Sequence, residues 1–181
     1  FTIRGLSRHN RIGGVTMGVR FTEKYQIVPA YSPIETTEAK ESVFVALKNA
    51  QWVTFLLQTG ALLTDSDDAI LVTVVSATGN TTNANDTAIP FKYRLSSELG
   101  TDAWGAITAG TTAGVSLEAT TDKQANRAML IDVDPASIPA LDSDALYVYL
   151  DLATTTITSG AISVAAFIEP RYPQNANLTS S

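Results

Sequence analysis

The sequence predicts an all-β fold: an antiparallel β-sandwich, jelly-roll-like, of about eight strands, preceded by an extended N-terminal arm. Short apolar segments alternate with polar residues at a period of two, and Gly-, Thr- and Asn-rich turns separate them. There is no βαβ rhythm and no long sequence repeat. The 181 residues, 45% of them hydrophobic, are enough for one domain with a sizeable core. An Ig-like sandwich is the nearest alternative fold.

The predicted arm covers residues 1–38, where hydrophobic residues are isolated and follow no period. Pro29 and Pro33 favour extended backbone in its second half. The sandwich is predicted over 39–174, and residues 175–181 form a short C-terminal tail.

The strands are predicted from alternation and from runs that are apolar on both faces. In the segment 88–95, Ile89 and Phe91 share one face, while Pro90 favours a sheet edge or a strand start because it cannot donate to a ladder. The eight predicted segments are 42–48, 51–58, 69–75, 88–95, 113–118, 128–133, 145–152 and 161–168.

Two short segments have helical character. Ala39, Val43, Leu47 and Ala50 sit at helical spacing behind a potential N-cap, so a helix competes with a strand there. The sequence around 135–142 predicts a single short helical turn.

Composition argues against an enzyme. The chain has no cysteine, which removes disulfides, thiolate metal sites and cysteine nucleophiles. Its one histidine, His9, lies in the arm, so neither a histidine metal cluster nor a Ser-His-Asp triad in the sandwich is expected. We therefore predict no catalytic residues, no cofactor and no metal.

Several carboxylates stand close together in the sequence. The DSDD motif at 65–68 resembles half of a calcium loop, but it lacks the glycine and the distal glutamate of such a loop. The pairs Asp132/Asp134 and Asp142/Asp144 flank predicted strand ends. Polar turns are the simpler interpretation of all three.

The net charge of −6 combines two regions of opposite sign. Residues 1–20 carry no acid and are +4, whereas the remainder is −10. We expect the basic arm to bind an acidic surface of a partner or a neighbouring subunit; an unstructured tail is the alternative. The acidic body argues against nucleic acid as the partner. The candidate partner-binding residues of the arm are Arg4, Arg8, Arg11 and Arg20.

Aromatic residues suggest a second kind of binding site. Tyr147 and Tyr149 share a strand face, and with Trp52 or Trp104 they would form a platform for sugar rings. Core packing or a subunit interface is the alternative for aromatic side chains in these positions.

No membrane association is predicted. No apolar run reaches the roughly 18 residues of a membrane span, and residues 1–20 lack the apolar centre of a signal peptide. The sequence begins with Phe1, which leaves targeting undecided.

The order of strand and turn phrases resembles the head auxiliary proteins of tailed bacteriophages, known as decoration or cement proteins. The resemblance covers about residues 40–174 and contains no chemical signature. The phrases are QWVTFLLQTG (51–60), AILVTVVSATG (69–79), FKYRLSS (91–97), DAWGAIT (102–108), MLIDVDPASI (129–138), ALYVYLDL (145–152) and AAFIEPRYPQ (165–174).

The resemblance implies a non-catalytic virion protein on the capsid surface. Such a β-sandwich would sit as an oligomer, often a homotrimer, at three-fold positions and would clamp neighbouring copies of the major capsid protein. Arms in this family commonly make such contacts. The longer arm of this chain, with its prolines, departs from many members and leaves a tail-associated or minor capsid role open. A carbohydrate- or receptor-binding virion sandwich and a self-assembling jelly-roll coat protein are the alternative functions.

Overall fold

The computed structural model describes residues 21–35, 39–60, 69–82, 84–97, 102–118, 126–154 and 161–172. They form two antiparallel sheets that enclose one hydrophobic core. A short helix, α1 (Phe21–Lys24), precedes the first strand. The strands are β1 (Gln26–Glu35), β2 (Lys40–Glu41), β3 (Val45–Ala46), β4 (Ala50–Thr59), β5 (Ala69–Ala77), β6 (Thr87–Ile89), β7 (Phe91–Leu95), β8 (Thr108–Gly110), β9 (Val115–Glu118), β10 (Ala128–Val133), β11 (Tyr147–Thr154) and β12 (Ala161–Pro170).

The strand order is that of a jelly roll. The first sheet runs β1-β12-β4-β10-β7-β8, and the second runs β2-β11-β5-β6, with β3 also on β11 and β9 also on β5. The pairs β1/β12, β2/β11, β4/β10 and β5/β6 are nested within one another along the chain. An antiparallel ribbon rolled into two facing sheets has this pairing. The all-β sandwich predicted from alternation is therefore confirmed.

The long strands agree with the sequence prediction. Strand β10 has the predicted bounds, and its residues alternate between half-buried and buried. Strands β4, β5, β9, β11 and β12 lie within two residues of their predicted ends. The short helical turn expected around 135–142 is present as a 3₁₀ helix at Ile138–Ala140.

The segment 39–50 contains no helix. It forms only the two short strands β2 and β3, and Asn49 has a left-handed φ of 64° just before β4. The residues at helical spacing do not share one buried face: Ala39 and Val43 are exposed, whereas Ala50 is fully buried. The helical alternative was wrong.

The predicted strand at 88–95 is two strands in different sheets. Ile89 ends β6 and pairs with Val74 in the second sheet, and Phe91 begins β7 and pairs with Gly110 in the first. Pro90 lies between them and belongs to neither strand. Because proline has no N–H to donate, the ladder is readily interrupted there. The inward face was predicted correctly, since Ile89 and Phe91 are both buried.

Part of the predicted arm belongs to the sandwich. Residues 26–35, which were predicted to lie in the arm, form β1 and pair with β12, and Ala30 is fully buried. The register shifts after Pro29 and again before Ile34. An edge strand tolerates prolines and irregular register, because half of its backbone groups are not needed for pairing. The folded body therefore begins well before residue 39.

Between the predicted strands 88–95 and 113–118 the structure contains a further short strand, β8, which was not predicted. Its Gly110 lies under the Phe91 ring, whose atoms would be 2.6 Å from an added Cβ. The core itself is formed by the inward residues of both sheets. Its largest fully buried side chains include Phe55, Leu57, Ile70, Leu117, Ile131, Leu150, Leu152 and Ile162.

Candidate binding groove

The four arm arginines, Arg4, Arg8, Arg11 and Arg20, lie outside the described residues, as do the DSDD motif and the C-terminal tail. The described chain begins at Phe21, which is 53% exposed. Its ring lies 4.8 Å from that of Tyr25 and 5.5 Å from that of Phe167. Phe21, the residue that follows the arginine-bearing segment in the chain, thus lies at the β1/β12 side of the first sheet.

Tyr147 and Tyr149 do not form an open platform. Tyr149 is only 3% exposed, and the ring of Phe44 lies 4.4 Å from its ring. Its hydroxyl donates to Asp86 Oδ2 at 3.2 Å. Burial, followed by the negative charge of Asp86, raises the pKa of Tyr149 well above its usual value. Tyr149 is therefore a buried anchor of the second sheet, whereas Trp52 lies on the first sheet.

Asp134 and Asp142 accept hydrogen bonds that stabilise the fold. Asp134 Oδ1 accepts from the backbone N–H of Ala136 at 2.9 Å, as in an Asx turn. Asp142 Oδ2 accepts from the hydroxyl of Ser76, which is fully buried, at 2.7 Å. The described residues contain no group of three or more His, Cys, Asp or Glu that could hold a metal ion.

Asp132 has a different position, on the outer face of the first sheet. In β4, Val53 and Phe55 point into the core, so Thr54 points outward. Cross-strand pairing then places Phe167, Thr54, Asp132 and Lys92 in one row across β12, β4, β10 and β7. Four neighbouring strands each contribute one outward side chain to this row.

The row forms the floor of a groove with a volume of about 280 Å³. Trp52 and its cross-strand partner Glu169 lie beside the row, and Tyr25 and Ile107 complete the lining. Trp52 is 39% exposed, and Ile107, just before β8, is 63% exposed. We call this feature the first-sheet groove. Its walls are largely aromatic or apolar, and its floor carries charged and hydroxyl groups.

The polar groups of the groove are ordered but only partly satisfied. The Thr54 hydroxyl donates to Asp132 Oδ1 at 2.7 Å, which fixes the carboxylate and leaves Oδ2 with no donor among the described residues. Lys24 forms an ion pair with Glu169 at 3.3 Å and lies over the Tyr25 ring. Among the described residues, no carboxylate lies within ion-pair distance of the Lys92 ammonium group. The groove thus offers an acceptor and a donor side by side.

Comparison of the chain with protein-family models, with curated proteins and with solved structures gives no match. Within the residues that the structure describes, no helix is long and apolar enough to cross a membrane.

This groove was not predicted, although the sequence contains part of the signal for it. Alternation alone assigns Trp52 and Thr54 to the non-core face of their strand, and it does the same for Asp132 and Lys92. What the sequence does not show is that β12, β4, β10 and β7 are neighbours. The aromatic prediction consequently selected tyrosines of the second sheet instead.

Proposed function

We propose that this protein is a non-catalytic virion structural protein that binds the outer surface of an icosahedral capsid and stabilises it, as decoration or cement proteins do. Its partners are the major capsid protein and further copies of itself, as a homotrimer on the capsid surface. The observation that carries this proposal is a jelly roll whose first described residue, Phe21, follows a basic N-terminal segment and lies next to the edge strand of the first sheet. Jelly rolls are frequent among viral capsid domains.

Charge supports the proposal. Residues 1–20 are +4, and the remainder of the chain is −10. The described chain begins directly after this segment, at Phe21, which lies close to the edge strand β1. Opposite charges steer the encounter of the segment with an acidic partner surface. The same acidic body disfavours a role in packaging nucleic acid.

Capsid attachment also suits a chain of this composition. A trimer that contacts a shell through three arms gains avidity, because the second and third contacts form at high effective concentration. Such attachment requires buried interface area rather than reactive side chains.

The proposal is tested by mixing the purified full-length chain with matching empty capsids and imaging the particles. We expect additional density at three-fold positions and a native mass in solution of three chains. Shells without added density would refute capsid binding. Copurified nucleic acid with steep salt dependence would favour the self-assembling coat protein instead.

The arm is tested separately with a charge-matched pair of variants. Replacing Arg8 and Arg11 with glutamine should weaken capsid binding, most strongly at low salt. The control replaces Lys48 and Arg171, two exposed basic residues of the body, with glutamine. Equal weakening by both variants would show that overall charge, and not the arm, determines attachment.

A further inference from the structure

We propose that the first-sheet groove is a saccharide-binding site. The sugar ring would pack on Trp52, and its hydroxyl groups would bind Asp132 and Lys92. This inference does not depend on the proposed capsid function. It follows from three properties of the groove: its exposed aromatic wall, its pair of polar groups and the lack of available backbone groups on its floor.

The aromatic wall fits the apolar face of a sugar ring. Trp52 keeps 39% of its surface exposed, although a side chain of this size is usually well covered in a folded domain. The Tyr25 and Phe167 rings line the same groove. A pyranose presents C–H groups on its faces and hydroxyl groups around its rim. An aromatic wall above a polar floor is complementary to that arrangement.

The polar floor fits the hydroxyl groups. Asp132 and Lys92 are direct cross-strand partners on β10 and β7, so their Cβ atoms are about 5 Å apart. Thr54 holds one oxygen of the Asp132 carboxylate. A hydroxyl group can donate to the other oxygen while a neighbouring hydroxyl accepts from the Lys92 ammonium. Charged partners make these hydrogen bonds stronger than neutral ones.

Other ligand classes fit less well. An extended peptide binds a sheet by pairing with an edge, but β12, β4 and β10 are internal strands whose backbone groups are committed to their neighbours. An anionic ligand such as a nucleotide requires an excess of positive charge. In the groove, the negative charge of Asp132 offsets the positive charge of its cross-strand partner Lys92, and Glu169 forms an ion pair with Lys24. The groove therefore has no excess of positive charge.

The size of the groove sets the scale of the ligand. Its volume of about 280 Å³ lies just below the roughly 300–1,000 Å³ of small-molecule sites. A protein interface requires about 800 Å² on each partner, more than such a groove provides. We therefore expect one or two sugar rings to be bound, with the rest of a longer glycan in solvent.

The test begins with the full-length chain on an array of glucose-, galactose-, mannose- and N-acetylglucosamine-based trisaccharides. Each trisaccharide that binds is then titrated calorimetrically. Trp52→Ala should weaken binding by about tenfold or more, the scale of a lost aromatic contact. Asp132→Asn should also weaken it. The matched control is Trp104→Ala, because Trp104 is 38% exposed and lies outside the groove.

A fluorescence experiment avoids reliance on the alanine variants, which could differ in stability. With Trp104→Phe, Trp52 is the remaining tryptophan, and the bound trisaccharide should change its emission. With Trp52→Phe, the same titration should leave the emission unchanged. The inference is refuted if no trisaccharide binds at millimolar concentration or if trisaccharide binding survives Trp52→Ala. It is also refuted if self-association of the chain is the only property that Trp52→Ala abolishes. None of these results affects the capsid test, which depends on the arm.

Discussion

Glu41 on β2 is the direct cross-strand partner of Asp151 on β11. Two carboxylates thus face each other across an antiparallel pair, an arrangement that destabilises a sheet. Partial burial, followed by the negative charge of Glu41, raises the pKa of Asp151. The hydroxyl of Thr82 donates to Glu41 and partly compensates its charge.

The first prediction is that Asp151→Asn stabilises the protein at neutral pH. Since the folded pKa of Asp151 is raised, the folded state binds its proton more tightly than the unfolded state does. The stability associated with this group is complete below the unfolded pKa of about 3.9 and is lost as pH rises through the folded value. We expect Asp151→Asn to add about 0.2–1 kcal/mol to the free energy of unfolding at pH 7.

Urea unfolding at pH 4 and pH 7 measures this effect. The gain should shrink towards pH 4, and the control Asp102→Asn, at an exposed position, should show no such gain. A gain of equal size at both pH values would contradict the electrostatic explanation.

The second prediction concerns the buried hydroxyl of Tyr149. Tyr149→Phe removes its hydrogen bond to Asp86 and should lower the free energy of unfolding by about 1–3 kcal/mol. Tyr147→Phe is the matched control, because Tyr147 lies on the same strand face but is only half-buried. Thermal unfolding followed by circular dichroism gives the comparison. Equal losses in the two variants would argue against a specific role of the Asp86 contact.

The third prediction concerns Gly114, in the turn between β8 and β9. Its φ is +82°, and an added Cβ would lie 2.7 Å from Thr73 Oγ1 and 2.8 Å from the Val72 carbonyl oxygen. Gly114→Ala should therefore cost about 1–3 kcal/mol of stability. Gly79→Ala should cost much less, since an added Cβ there meets nothing within 4 Å. Chemical denaturation of both variants tests this, and similar midpoints would disprove it.

The fourth prediction tests where the folded body begins. Deleting residues 1–20 should leave the unfolding transition unchanged, because both sheets of the described part of the chain are built from residues after Tyr25. Deleting residues 1–35 removes β1 and exposes the edge of β12. We expect this form to aggregate or to unfold at a lower temperature. If the chain lacking residues 1–35 were as stable as the chain lacking residues 1–20, residues 26–35 would belong to the arm and not to the folded body.

Alternation predicted single strands well, and β10 shows why. Met129, Ile131 and Val133 are buried in strict alternation with outward residues, a pattern that the sequence contains in full. Strand β1 was missed because Pro29 and Pro33 are usual signs of a loop, and only the edge position of the strand makes them tolerable.

Features that depend on strand order could not be predicted. Pro90 was predicted to lie at a sheet edge or a strand start, but its neighbours Ile89 and Phe91 pair with β5 and β8, which belong to different sheets, and the sequence does not show this order. Thr54 and Asp132 are 78 residues apart in the chain, and their hydrogen bond exists only through the pairing of β4 with β10. The contact of the Phe44 ring with Tyr149 likewise joins residues that are far apart in the chain, so it depends on how the strands are arranged.

The nested pairing of the strands also determines when each can form during synthesis. Ser76 pairs with Thr87 after only a short stretch of chain, whereas Ile27 must wait for Phe167. At the usual rate of translation, of the order of 10 residues per second, the first strand spends about 14 s without its partner. Long-range pairing of this kind also slows folding itself. The prolines and the irregular register of β1 would protect the nascent chain during that interval, because they make its unpaired edge a poor template for aggregation.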